Sequence, residues 1–188
     1  MVYQASVRSS RRKLVFLFSG QGSQYLGMGS GLFHRGGEFK NLMLRFDEVV
    51  RDLTGSSVVE AIYATRPAPV TALDRTLLTH PAIFMVECAL ALSLMADGVM
   101  PDVVLGTSMG TFAAAVIAGF LDAQAALEVV IGQAVALEAH CEPGGMLAIL
   151  ANSSLFLEEF LSASSEMAAV NFSSHFVVSA PSASFCGR

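Results

Sequence analysis

The sequence predicts a mixed α/β fold with a parallel-sheet, hydrolase-like core and a nucleophile elbow, followed by a smaller β-α-β-β unit. Two apolar runs, residues 14–18 and 103–105, each end at a glycine-containing turn, which is typical of strands buried on both faces of a parallel sheet. After Pro143-Gly144-Gly145 the pattern changes to short strands. A hydrophobic content of 53% in 188 residues is ample for a sizeable core.

Helical segments lie between the two apolar runs. Apolar residues recur at helical spacing from Phe39 to Leu53 and stop before Gly55, which predicts an amphipathic helix with a glycine at its end. Pro81 is predicted to open a mostly apolar helix that continues to about Leu94.

The second half of the chain begins with a predicted helix that Asp122 caps and that ends near Glu138. Beyond the glycine break we expect a strand at 146–150, a short helix at 154–161 and strands at 167–170 and 176–179. We therefore divide the chain into a lead-in (1–12), the first part of a large α/β subdomain (13–143) and the start of a smaller subdomain (144–188).

The charge balance limits the classes of partner. Sixteen acidic and 11 basic residues give a net charge of −5, which argues against nucleic acid or an anionic membrane as the main ligand. A small basic cluster near the start of the chain comprises Arg8, Arg11, Arg12 and Lys13. No apolar region with a cleavage site follows this cluster, so we interpret the cluster as a solvated lead-in and not as a targeting signal. The uncharged stretch 103–121 is long enough for a membrane span, but its glycine, serine and threonine residues favour a buried strand and helix. We predict no membrane partner.

The three cysteines, Cys88, Cys141 and Cys186, are widely spaced and form no C-x-x-C pair. This spacing fits reduced thiols that pack as small apolar side chains, and it favours a cytoplasmic protein over a disulfide scaffold or a zinc site. No metal site is predicted.

The most informative motif is Gly106-Thr107-Ser108-Met109-Gly110, which stands between an apolar run and a small-residue helix. A G-x-S-x-G sequence in this position predicts a nucleophile elbow, a tight strand-to-helix turn that exposes the serine hydroxyl at the carboxyl end of the sheet. The two glycines remove side chains that would collide where the strand meets the helix. Ser108 is therefore the predicted nucleophile.

Two further motifs accompany the elbow: Gly20-Gln21-Gly22-Ser23-Gln24 after the first strand and Thr79-His80-Pro81-Ala82 at the start of a helix. Together the three motifs resemble the acyltransferases of fatty-acid and polyketide synthesis, which include the malonyl-CoA:acyl-carrier-protein transacylases. The resemblance runs from about residue 13 to residue 179.

This resemblance implies a serine enzyme that forms an acyl-Ser108 intermediate and binds no cofactor. Coenzyme A or phosphopantetheine thioesters would be its substrates and acyl carrier protein its partner. The backbone N–H groups of Gln21 and Met109 would form the oxyanion hole, where one donor is worth about 3 to 4 kcal/mol. An ordinary glycine-rich loop or a phosphate cradle is the alternative for residues 20–24, although the G-K-[ST] ending of a P-loop is absent.

The chain departs from the family pattern around the predicted pocket. Thr107 and Thr111 stand where the family usually has histidine and glutamate, and His80 stands where it has glutamine. Thr107 and His80 are therefore predicted substrate-binding positions with altered chemistry. His80 either hydrogen-bonds near the site or is a helix-start histidine satisfied by backbone.

Gln133 is the most consequential departure. Family members that use malonyl groups have an arginine at the matching position, whose planar fork binds the malonyl carboxylate. Glutamine cannot neutralise that charge, so an uncharged acyl group would fit better. The chain resembles the trans-acting acyl hydrolases that remove acyl groups from stalled carrier proteins. The alternatives are an alignment displaced by one turn or a tolerated polar residue.

A serine nucleophile needs a base, which the family places far downstream of the serine. The resemblance also implies that the smaller unit is the opening of a ferredoxin-like subdomain, here incomplete. We therefore expect the 188 residues alone to be inactive. Two rival functions stay open: a malonyl-CoA:acyl-carrier-protein transacylase, and a truncated non-catalytic fragment that binds carrier protein.

Overall fold

The computed structural model describes residues 12–63, 75–157 and 164–182. The chain divides into two compact units, Met1–Ala139 and His140–Arg188. Of the lead-in predicted at 1–12, only Arg12 is among the described residues.

The first unit alternates strands and helices, and so has the mixed α/β character that the sequence predicts. Its elements are β1 (Val15–Phe18), α1 (Ser30–Arg35), α2 (Glu38–Thr54), α3 (Val58–Tyr63), α4 (Thr76–Ala96), β2 (Val103–Gly106), α5 (Gly110–Ile117) and α6 (Ala123–His140). Gly55 ends α2 in the left-handed conformation, and the Asp122 carboxylate accepts hydrogen bonds from the Gln124 and Ala125 N–H groups at the start of α6. Both helix ends confirm the predictions.

Strands β1 and β2 pair in parallel, with Val15 opposite Val103 and Phe18 opposite Gly106. The prediction that they are buried on both faces is wrong within the described residues: Leu17 is 72% exposed and Leu105 is 60% exposed. The physical reason is that the described part of the chain covers one face of this pair. Side chains alternate along a strand, so Phe16, Phe18 and Val104 pack into the helical core while their neighbours point away from it.

Helix α4 is the central helix of the first unit. It packs against α2 and α5, and Phe84, Met85 and Cys88 are fully buried. Among the described residues it is the one helix long and apolar enough to cross a membrane. More than half of its most apolar 18 residues are buried inside the protein. This burial identifies α4 as a core helix. Of the other thiols, Cys141 is free and exposed, and Cys186 lies outside the described residues.

The start of α4 corrects the sequence prediction. The helix begins at Thr76 and contains Pro81 in its interior, whereas the sequence places Pro81 at its beginning. The reason is a tertiary contact: the Glu138 carboxylate on α6 accepts hydrogen bonds from the Leu77 N–H at 2.8 Å and the Thr76 hydroxyl at 3.2 Å. A side chain 61 residues away thus satisfies a free N–H of the first turn.

The second unit contains a three-stranded antiparallel sheet in the order β3-β5-β4. Its elements are β3 (Gly144–Ile149), a 3₁₀-helix (Ser153–Leu157), β4 (Glu166–Phe172) and β5 (His175–Pro181). The three predicted strands are present. The end of the short helix predicted at 154–161 lies outside the described residues.

Candidate active site

Ser108 occupies the turn between β2 and α5. Its φ is +52°, and it is the one non-glycine residue with a positive φ in the described ranges. A serine held in this sparsely populated region is a mark of a strained turn. Its side chain is exposed, so the hydroxyl is accessible, as an elbow requires.

The flanking glycines are required by close backbone packing. A Cβ at Gly106 would collide with the backbone of Gly110, and one at Gly110 would collide with the backbone of Phe18 and Ser19 at the end of β1. Any larger residue would separate the elbow from the strand beside it. The geometry agrees with the prediction made from the motif.

The loop after β1, residues 19–24, lies directly beside Ser108. A Cβ added to Gly20 would be 2.9 Å from the Ser108 Cβ and 3.4 Å from its Oγ. Gly22 has a φ of +105°, and its N–H donates to the Gln24 Oε1 at 2.7 Å. Glycine permits both the close approach at residue 20 and the left-handed conformation at residue 22.

Gln21 and Met109 are the two residues whose backbone N–H groups are predicted to form an oxyanion hole. Each directly follows one of the two residues in this contact. Gln21 follows Gly20, and Met109 follows Ser108. Within the described ranges neither N–H donates a hydrogen bond to the protein.

His80 contacts the glycine loop. The His80 side chain is buried, and its Nε2 lies 3.2 Å from the Gln21 Oε1. Since an amide oxygen only accepts, Nε2 carries the proton, and the other ring nitrogen, Nδ1, has no partner among the described residues. Burial lowers the pKa of His80 from its ordinary value of 6.5, which favours the neutral ring. Of the two predicted alternatives, the structure has the hydrogen bond near the site.

The other predicted pocket residues are exposed. Thr107 lies at the end of β2, where its N–H donates to the Phe18 carbonyl at 3.0 Å and its side chain faces solvent. Gln133 lies on the exposed side of α6, and its side chain has no hydrogen-bond partner in the described chain. The structure therefore brings Ser108, Gln21, Met109 and His80 together through the loop, and records no contact of Gln133 with that group.

Glu87 is a residue that the sequence reasoning did not identify. Its Oε1 accepts a hydrogen bond from the Ser19 N–H at 2.6 Å and lies 2.8 Å from the Ser19 hydroxyl. The signal was present in the sequence: Glu87 follows His80 by seven residues, which is nearly two helical turns and places both on one face of α4. A charged residue in an apolar helix, aligned with a predicted site residue, is such a signal.

In the part of the chain that the structure describes, no histidine hydrogen-bonds to the Ser108 hydroxyl. All four histidines are in that part, and His34, His80 and His175 contact Ser30, Gln21 and Asn171 respectively. His140 lies at the end of α6. The Ser108 hydroxyl has no hydrogen-bond partner among the described residues.

Comparison with known proteins adds a family match over most of the chain. The model of the acyl transferase domain family matches residues 15–182. This range contains the elbow, the glycine loop and helix α4.

Curated relatives come from bacterial polyketide biosynthesis. The chain is 44% identical over 167 residues to the polyketide biosynthesis acyltransferase homolog BaeD of Bacillus velezensis, covering 88% of this chain and 52% of that protein. It is 42% identical, with the same coverage, to the homolog PksD of Bacillus subtilis. The chain therefore spans about half the length of these relatives.

Solved structures with the same fold include a loading acyltransferase from the avermectin modular polyketide synthase, with a TM-score of 0.81, 29% identity, and coverage of 92% of this chain and 55% of that one. Another is a malonyl CoA-acyl carrier protein transacylase from Burkholderia pseudomallei, with a TM-score of 0.75 and 32% identity. The match covers 92% of this chain and 57% of that one.

Proposed function

The chain belongs to the acyl transferase domain family, and from this premise we propose that it takes part in polyketide biosynthesis by forming an acyl-Ser108 intermediate from an acyl thioester. The single observation that carries the proposal is the placement of Ser108: an exposed serine at a φ of +52° with Gly20 packed against its Cβ. A side chain at residue 20 would crowd the Ser108 side chain, and glycine has none. In this proposal the Gln21 and Met109 N–H groups would form the oxyanion hole.

In the acylation step the Ser108 Oγ attacks the thioester carbonyl carbon. Negative charge develops on the carbonyl oxygen, and the Gln21 and Met109 N–H groups would donate to it. The C–S bond then breaks, the acyl group stays on Oγ, and the serine proton leaves with the sulfur as a thiol. The proton transfer needs a base. We assign it to a histidine later in the polypeptide than the matched region, and so expect the 188 residues alone to be inactive.

The second step decides between hydrolysis and transfer. We propose that water attacks the acyl-Ser108 carbonyl, which releases the free acid and regenerates the serine. The support is Gln133, a neutral residue where the family's malonyl-using members have arginine, because an unpaired malonyl carboxylate beside it would lack its counter-ion. The substrate would then be an uncharged acyl group, such as acetyl, on a carrier protein.

Several finer predictions belong to this proposal. The thiol carrier is coenzyme A or the phosphopantetheine of an acyl carrier protein, no cofactor is bound, and the protein acts in the cytoplasm. The antiparallel sheet of the second unit would be the opening part of a ferredoxin-like subdomain.

Two rivals have observations in their favour. Malonyl transfer is favoured by the likeness to a structure described as a malonyl CoA-acyl carrier protein transacylase. A non-catalytic fragment that binds carrier protein is favoured by the Ser108 hydroxyl, which has no partner in the described chain.

The test uses carrier protein loaded with either acetyl or malonyl phosphopantetheine. In a protein that extends this chain through the base, intact mass should show loss of acetyl from the carrier protein, and Ser108→Ala should abolish that loss. Faster release of malonate than of acetate would overturn the hydrolase assignment. A stoichiometric acyl adduct on Ser108 in the 188-residue chain would exclude the non-catalytic alternative.

A further inference from the structure

Helix α4 contacts the glycine loop at two points on one face. His80 meets the Gln21 side chain at 3.2 Å, and Glu87, seven residues later, meets Ser19. Ser19 directly follows the end of β1 at Phe18 and begins the loop. The helix therefore contacts the loop on both sides of Gly20.

The contact at Ser19 has two parts. A single carboxylate oxygen, Oε1 of Glu87, lies 2.6 Å from the Ser19 nitrogen and 2.8 Å from its hydroxyl oxygen. The Ser19 and Ser23 hydroxyl oxygens are 2.9 Å apart, and the Ser23 hydroxyl lies 2.9 Å from the Gly20 carbonyl. One Glu87 oxygen thus contacts both the backbone nitrogen and the hydroxyl of Ser19.

The surroundings of Glu87 are unfavourable for a charge. It borders a pocket of about 300 Å³ together with Ile83, Val86 and Leu90 of the same helix, and its second oxygen, Oε2, has no partner among the described residues. Burial raises the pKa of Glu87, although the two bonds from Ser19 oppose that shift. An apolar residue would pack at this position without that cost, so packing alone does not explain a carboxylate here.

We propose that Glu87 is a positioning residue that fixes the glycine loop relative to Ser108. Its two bonds hold Ser19, and Ser19 sets the backbone of Gly20, which would touch Ser108 if it carried a single extra carbon. The residue after Gly20 is Gln21, whose backbone N–H is one of the two proposed oxyanion donors. Glu87 thus acts on the reaction through the loop without touching substrate. This inference rests on the proposed function for its effect on rate, but the anchoring of the loop does not depend on turnover.

The experiment compares Glu87→Leu, Glu87→Gln and Ser19→Ala with the unaltered protein. Leucine removes both bonds, glutamine keeps an acceptor oxygen without the charge, and alanine at 19 removes only the hydroxyl. Glu128→Gln is the matched control, because Glu128 is an exposed carboxylate on α6 that bonds Gln124. The first measurement is amide exchange of residues 19–24 in the 188-residue chain, read by mass spectrometry.

We expect loop exchange to rise about tenfold in Glu87→Leu, since a broken anchor allows local opening without global unfolding. Glu87→Gln should restore most of the protection, and Glu128→Gln should show none of the change. Unaltered loop protection in Glu87→Leu would overturn the inference. If that variant fails to fold, unaltered protection in Ser19→Ala overturns it, because that variant removes the hydroxyl contact with Glu87.

The second measurement is acylation of Ser108 by an acetyl thioester in a protein that extends this chain through the base. Glu87→Leu should lower kcat by about 10²-fold, the scale of losing one oxyanion donor, with KM within about twofold, and Glu87→Gln should recover most of the rate. An equal loss in Glu128→Gln, or a change confined to KM, would contradict positioning. Failure of the unaltered protein to acylate would instead remove the proposed function, while the exchange result would still decide the anchor.

Discussion

The elbow and helix α6 both contain residues of the predicted site, yet the chain holds them in opposite ways. At the elbow, Gly110 has the backbone of β1 against it, with no room for a Cβ. On α6, Gly132 has nothing within 4 Å of the same added atom, and the neighbouring Gln133 is exposed. The predicted nucleophile lies in a turn of fixed geometry, whereas the proposed specificity residue occupies a surface where substitution costs little. We therefore expect substitutions to separate rate from substrate preference.

The sharpest test of the elbow is Ser108→Ala. We expect loss of all acyl-enzyme formation in a protein that extends this chain through the base, because the variant lacks the nucleophilic oxygen. The fold should be retained, since the residue is exposed and no core volume is lost. Intact mass after incubation with acetyl thioester checks the first point and circular dichroism the second. A covalent adduct on another residue would contradict the assignment.

Gly110→Ala and Gly132→Ala are a matched pair of substitutions that test how tightly the elbow and helix α6 are packed. At residue 110 the new methyl group would overlap the backbone at the end of β1, and we expect a destabilisation of about 3 kcal/mol. At residue 132, in the open interior of a helix, the same change should stabilise the protein by about 0.5 to 1 kcal/mol. Urea unfolding of both variants measures the contrast. Equal effects of the two substitutions would remove the distinction between the regions.

Gln133→Arg tests whether the α6 surface sets substrate preference. A guanidinium that pairs with a malonyl carboxylate gains about 1.5 to 3 kcal/mol, so the ratio of malonyl to acetyl turnover should rise by at least about tenfold. The Gln133→Lys variant is the control, because it adds the charge without the bidentate fork. An unchanged ratio in the arginine variant would show that residue 133 does not face the acyl group.

His80 gives the smallest expected effect, a pH dependence of stability. Its pKa is lowered from 6.5 by burial, so in the folded state the ring resists protonation while the unfolded chain takes up the proton. The free energy of unfolding should therefore be highest above pH 6.5 and fall as the pH drops through the lowered folded value. His80→Gln removes this contribution. Urea unfolding at pH 7.5 and 5.5 should show a larger loss on acidification for the unaltered protein than for the variant.

Local signals in the sequence determined the parts of the fold that depend on backbone conformation. The order of strand, turn and helix around Ser108 follows from the glycine spacing, and the end of α2 at Gly55 and the start of α6 after Asp122 follow from residues next to each boundary. These features are set by the conformational freedom of glycine and by capping groups a few residues away. Such features can be predicted from one sequence.

Tertiary structure alone decided the contacts between distant segments. The start of α4 depends on Glu138, which the sequence places 61 residues from Leu77. The links from His80 to Gln21 and from Glu87 to Ser19 join residues 59 and 68 positions apart. Which face of the β1–β2 pair is covered likewise depends on where the helices pack. A local pattern fixes dihedral angles but not which side chains meet after packing. The sequence therefore predicted the elbow and its serine, and the contacts around them were decided by the fold.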